Sequence, residues 1–177
     1  MPFYRQLTEA DAAHARDLVT RVYTERFGPE VVARWHADIR ALEEQYLANP
    51  RQAAFVAVED GRVIGFAAVR HRCPSSGPLA GVYDPAATCE LGRVTVEPAY
   101  RRRGIALQLV ELARLWASGR YRVVTLHTDH DNVEALGLWR RLCREVLTHE
   151  GTVYFELPLD QPVGPAGPAG HPRSTNP

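Results

Sequence analysis

Residues 88–117 read TCELGRVTVEPAYRRRGIALQLVELARLWA, and the rest of the chain is organised around them. The first part is strand-like, with apolar side chains at Cys89 and Leu91, then at Val94 and Val96. Successive strand residues face opposite sides, so the step from 91 to 94 loses phase. One extra residue near Gly92 restores it, which is the pattern of a β-bulge. Glu97-Pro98 ends the strand, because proline has no N–H to give to a ladder. Ile105, Leu109, Leu112 and Trp116 then recur at helical spacing, with Ala106, Val110 and Ala113 beside them. Gln108, Glu111 and Arg114 take the polar side. Between strand and helix lies Arg101-Arg102-Arg103-Gly104-Ile105-Ala106. A helix start exposes unpaired N–H groups and the positive end of its dipole. With a glycine in the turn and arginines around it, such a start seats a pyrophosphate. Taken alone, RRRG is also compatible with a solvated basic turn. No GxGxxG occurs, so a Rossmann-type dinucleotide site is excluded.

The 177 residues suffice for one domain with a sizeable core. Lys+Arg 21 balances Asp+Glu 21, which leaves no global basic field to attract nucleic acid. Every one of those basic residues is arginine, so Schiff-base catalysis on lysine is ruled out. Cys73, Cys89 and Cys143 show no CxxC spacing and predict reduced thiols in a cytoplasmic protein. No apolar run approaches the ~20 residues of a membrane helix, and the N-terminus does not resemble a signal peptide.

Working outward, Pro2 to Leu7 is a strand candidate. Thr8 offers an N-cap, with Asp11 in the first turn, for a helix to about Phe27. Its apolar stripe is Ala15, Leu18, Val19, Val22 and Tyr23. Pro29 opens a second helix carrying Val32, Trp35, Ile39, Leu42 and Tyr46, which Asn49-Pro50 stops. Ala53 to Glu59 and Arg62 to Arg72 form a hairpin about Asp60-Gly61, and residues 73–87 are a loop by composition. Beyond the central unit come a strand from Arg122 to Thr128 and a helix from Asn132 to Cys143. A last hairpin, Arg144 to His149 with Thr152 to Leu157, turns at Glu150-Gly151. The order is β-α-α-β-β-β-α-β-α-β-β, an α/β fold with helices flanking one mixed central sheet. The domain is expected over 1–159, with a Pro/Gly-rich disordered tail over 160–177.

The stretch from Arg101 to Ala106 resembles the acetyl-CoA motif of the GNAT N-acetyltransferase superfamily. That motif is Arg or Gln, two residues, Gly, any residue, then Gly or Ala. ELGRVTVEP is a familiar form of the strand before it, and the order of elements is that of the family from Phe3 to Leu159. The resemblance implies a single-domain acyltransferase with acetyl-CoA as co-substrate and no metal. It also implies direct attack by a primary amine of a small molecule or peptide, with no nucleic-acid or membrane partner. The alternative is a non-catalytic acyl-CoA-binding regulatory module. Oligomeric state stays open, a homodimer included.

Carried over by position, the resemblance has the backbone of Val94, Thr95 and Val96 pairing with the pantetheine arm. Arg101, Arg102, Arg103, Gly104, Ile105, Ala106 and Leu107 surround the pyrophosphate. Asn132 either contacts the cofactor or simply caps its helix. Trp139 stands where the family often has a tyrosine acid, and an indole N–H only donates. Glu90, on the bulged strand, and His127, on the next, are the two candidates for the base. His127, Asp129, His130 and Asp131 invite a metal reading, but no further ligand is identifiable. The acceptor is expected beside the first two helices, the 73–87 loop and the final hairpin. Glu43, Glu44 and Asp84 are candidates to meet a cationic amine.

Overall fold

A computed structural model describes residues 1–160. The elements of the N-terminal part are β1 (Phe3–Gln6), α1 (Glu9–Phe27), α2 (Pro29–Trp35), α3 (Ala37–Arg40), α4 (Leu42–Tyr46), β2 (Ala53–Glu59) and β3 (Arg62–Arg70). Then follow β4 (Thr88–Val96), α5 (Ile105–Ala117), β5 (Val123–Asp129), α6 (Val133–Leu142), β6 (Arg144–His149) and β7 (Thr152–Glu156). The tail expected over 160–177 lies, from residue 161 on, outside the described residues.

The strands form one seven-stranded sheet in the order β1-β2-β3-β4-β5-β7-β6. Every neighbouring pair is antiparallel except β4 and β5, which run parallel. Strand alternation divides the core into two layers. Ala53, Phe55 and Ala57 of β2 join Leu109, Val110 and Trp139 on the α5–α6 face. Ala54, Val56 and Val58 join Leu18, Ile39 and Tyr46 on the α1–α4 face. A sheet covered on both faces explains why β2 reads as an unbroken apolar run. At the start of α1, the Asp11 carboxylate accepts from the Thr8 N–H at 2.9 Å and the Thr8 hydroxyl at 2.6 Å.

One predicted element is corrected. The helix expected as a single run from Pro29 is three short pieces, interrupted at His36 (φ −109, ψ 38) and Ala41 (φ −100, ψ 39). A distant side chain accounts for the first interruption. Arg93 Nη2 donates to the Trp35 carbonyl at 2.8 Å, and the Ile39 N–H bonds instead to the His36 carbonyl at 3.1 Å. The interruption rotates the apolar stripe. Trp35, expected inside, is 61% exposed, and His36 takes the inner position at 3%.

His36 stacks edge-on against Tyr23 at 4.5 Å, and its Nδ1 has no hydrogen-bond partner. Burial first, then the nearby Arg93, hold its pKa down to about 4. In the unfolded chain imidazole titrates near ~6.5, so between the two values the unfolded state binds the extra proton. Stability is therefore full above pH ~6.5 and falls as the pH drops toward 4. Urea unfolding is expected to lose about 2 kcal/mol between pH 7.5 and pH 5, and His36→Phe is expected to flatten most of that slope. Equal slopes in the two proteins would place the acid sensitivity elsewhere.

Candidate active site

The bulge lies one residue beyond Gly92. Phe66 opposes Thr95 and Ala68 opposes Gly92, so Ala67 faces both Arg93 and Val94. Arg93 takes φ 57, outside the usual range for a side chain of that size. A bulge bends its strand, and here β4 leaves β5. The two pair at Thr88↔Val123, Cys89↔Val124 and Glu90↔Thr125 and then part. The V between them opens a cleft of about 920 Å³. Val94, Thr95 and Val96 line it, along an edge with no strand beside it among the described residues.

At the wide end, α5 begins at Gly104, which caps it in the left-handed region (φ 79, ψ 1). A Cβ here would meet nothing within 4 Å, so the turn requires glycine for its backbone conformation and not for lack of space. No side chain caps the first turn of α5, which leaves the N–H groups of Ile105, Ala106 and Leu107 for a ligand. Gly104 and these three residues line the cleft. Arg102 lines it as well, and Arg101 reaches across it to within 3.6 Å of Glu134 on α6. Arg103 differs from its neighbours. Its guanidinium bonds the Ala99 carbonyl at 3.1 Å and lies over the Tyr100 ring, away from the cleft.

On the opposite wall Asn132 caps α6, accepting from the Ala135 N–H at 3.4 Å and donating to Thr128 Oγ1 at 3.3 Å. It also lines the cleft. Trp139 is 6% exposed within the α5–α6 core layer, and it forms part of the wall.

Glu90 and His127 meet at the vertex. Glu90 opposes Thr125, so His127, two residues further along β5, shares its face. His127 Nδ1 stands 3.5 Å from Glu90 Oε1. The roles separate by environment. Glu90 is buried, receives Arg70 Nη2 at 2.8 Å and lies 3.5 Å from Arg72 Nε. The His127 side chain is 51% exposed in the cleft, with the Tyr154 ring 6.0 Å away. The Glu90 oxygens are taken up by two arginines, whereas the imidazole stands open to the cleft beside that carboxylate. His130 packs instead toward Gly151 at the final hairpin. Among the described residues no three His, Cys, Asp or Glu side chains gather as a metal-binding group.

The α1–α4 face of the vertex holds residues that sequence reasoning missed. Asp38 accepts from Arg93 at 3.1 and 2.8 Å and from Tyr46 at 2.7 Å. Burial would raise its carboxyl, but Arg93 above all outweighs that and holds it below the usual carboxylate range. Tyr23 and Phe27 of α1 line the cleft here. The signal was present in β3, where Phe66, Ala68 and Arg70 share one face and the apolar alternation ends on a charge. Glu43, Glu44 and Asp84 do not line this cleft, and Glu43 pairs with Arg16.

A model of the acetyltransferase (GNAT) family matches residues 14–143. A search of curated proteins found no match. Several solved structures share the fold. A GNAT-family acetyltransferase from Staphylococcus aureus Mu50 superposes with a TM-score of 0.70 at 11% identity, over 90% of this chain and 99% of that one. A PaiA N-acetyltransferase from Thermoplasma acidophilum, in complex with coenzyme A, gives 0.68 at 14% identity, over 89% and 98%. An aminoglycoside 6'-acetyltransferase of type Ii gives 0.60 at 16% identity, over 93% and 99%.

Proposed function

The chain belongs to the acetyltransferase (GNAT) family, and from that premise we propose that it transfers an acetyl group from acetyl-CoA to a primary amine of a small molecule or peptide. The observation that carries this reading is one continuous cleft. It runs from the uncapped start of α5, along the free edge of β4, to the paired His127 and Glu90.

Acetyl-CoA supplies an acyl thioester that a neutral amine attacks directly. The protein's part begins with the α5 N-terminus, whose N–H groups and dipole receive the pyrophosphate, with Arg101 and Arg102 close by. The free edge of β4 offers peptide groups to an extended arm as a further strand would, and its N–H groups can stabilise a developing oxyanion. His127 removes the ammonium proton, and Glu90 holds the ring and stabilises its charged form. Arg70 keeps Glu90 in place. A thiol of pKa ~8.5 leaves as thiolate without full protonation, so the absence of a tyrosine at Trp139 is compatible with turnover. A cytoplasmic location goes with this reading. The unpaired Cys73, Cys89 and Cys143 support it, and among the described residues no helix is long and apolar enough to cross a membrane.

The test is an amine panel with release of free CoA as the readout, expected to show at least one class of amine consuming the thioester. Tight CoA binding with no turnover across the panel would instead favour the regulatory acyl-CoA module. Trp139 supplies a second check. Trp139→Phe is expected to keep most turnover, whereas Trp139→Ala should cost about 3–5 kcal/mol of stability, since the ring is core. A hundredfold fall in the rate of the folded, saturated Phe variant would assign the indole a chemical role.

A further inference from the structure

We propose that the acceptor half of this cleft selects an amine that also bears an anionic group, a carboxylate or a phosphate, and that Arg70 receives that group. The proposal rests on the transferase reading above and names the class of its second substrate.

Charge already committed elsewhere argues against a polycation. Of the three acidic side chains lining the cleft, Glu90 is held by Arg70 and Arg72, and Glu134 faces Arg101. Only Asp129 is left, at the far end of β5, whereas Arg26, Arg70 and Arg93 line the acceptor side, Arg26 lying 3.5 Å from Asp131. Asp38, behind the wall, is occupied by Arg93 and Tyr46 and lies 3.7 Å from Arg70 Nη1. A ligand with several ammonium groups would find one uncommitted carboxylate in the lining. A ligand with a carboxylate or phosphate would find guanidinium N–H groups on the wall beside the base.

Arg70 is built into that wall. Its side chain is only 14% exposed, and it lines the cleft. The guanidinium lies where a side chain at position 92 would be: a Cβ on Gly92 would stand 2.9 Å from Nη2 and 3.5 Å from Cζ. Glycine on β4 thus clears the space that lets the arginine reach the cleft. Glu90 fixes Nη2, and Nη1 lies 3.7 Å from Asp38 Oδ2. A guanidinium carries five N–H groups, so one hydrogen bond and one longer ion pair leave others for a second anion, in a planar fork suited to carboxylate or phosphate.

The placement also sets the length of the substrate. Arg70 Nη2 and His127 Nδ1 address the same oxygen of Glu90, at 2.8 and 3.5 Å. The anion site and the base are therefore neighbours, and the reacting amine and its anion lie only a few bonds apart. Small amino acids and short aminoalkyl phosphates have that shape.

Matched acceptors titrated calorimetrically into the CoA-saturated protein, beside CoA-release assays, test the proposal. One arm compares α-amino acids with their amides, a second compares aminoalkyl phosphates with the parent amino alcohols, and a third uses spermidine and an aminoglycoside. In the carboxylate or the phosphate arm the anionic member is expected to bind about tenfold or more tightly than its partner, and the arm that responds identifies the anion. Arg70→Gln and Arg70→Lys are each expected to collapse that ratio, with retained CoA affinity reporting a folded protein. Should both variants misfold, the wild-type ratios decide alone. Equal affinities within both pairs, preference for the polycations, absence of binding by every anionic amine, or an unchanged ratio in a folded Arg70→Gln protein would each overturn it. A panel in which anionic amines bind preferentially but none consumes thioester would sink the transferase reading and leave the anion site standing.

Discussion

Replacing Gly104 by glutamate is expected to abolish acetyl-CoA binding in a protein that still folds. The residue caps α5 at φ 79, where an L side chain is strained by about 1–2 kcal/mol, a cost a domain of this size can absorb. No atom would oppose the new Cβ within 4 Å, so the helix and sheet around it need not move. The effect is electrostatic. A carboxylate at the uncapped first turn takes up the N–H groups and dipole that would otherwise face phosphate, and it repels the ligand's own charge. Affinity should fall at least about a hundredfold. Gly104→Asn, which tolerates the same backbone conformation without the charge, should retain much more. Calorimetry with CoA on both variants, alongside circular dichroism, separates the outcomes, and unchanged affinity in a folded Gly104→Glu protein would remove the pyrophosphate from this turn.

His127→Gln should leave acetyl-CoA affinity intact and lower turnover at neutral pH by about 10²–10⁴. Glutamine keeps a polar side chain next to Glu90 but cannot carry the proton away. The deficit should shrink as the assay pH approaches the ~10 of an alkyl amine, where free amine no longer needs a base. That pH dependence separates a lost base from a lost contact, which would depress the rate equally at every pH. Glu90→Gln leaves Arg70 and Arg72 without their buried counter-charge and should therefore destabilise the protein as well as slow it. A full rate in His127→Gln from pH 6 to 9 would mean the amine binds already neutral or another group accepts its proton.

What the sequence disclosed and what it hid divide along the range of the interactions involved. The phase break between Leu91 and Val94 is local, and it located the bulge to within a residue. The strand–turn–helix at 88–117 and the hairpins at Asp60-Gly61 and Glu150-Gly151 are local too, and the observed elements match them closely. The second helix misled because its first interruption is imposed from 58 positions away, by Arg93 on the Trp35 carbonyl. No periodicity within residues 29–46 records that. The separation of Glu90 from His127 was hidden for the same reason. Glu90 is committed by Arg70, twenty positions away on the neighbouring strand, and only sheet register brings them together. Arg103 shows a finer limit. Three adjacent arginines look equivalent in a sequence, yet the turn sends one of them to Tyr100.

The single inserted residue at Arg93 has a kinetic consequence. On one side it bends β4 away from β5 and so opens the cleft. On the other it sends a guanidinium into Asp38, which fixes α3 beside that cleft. On the proposed transferase reading both substrates would meet at this one strand segment, and ordering it for either would prepare it for the other. Such an arrangement favours a ternary complex over a ping-pong cycle. It also implies that each substrate should tighten the binding of its partner by the same factor, the reciprocity that linkage demands.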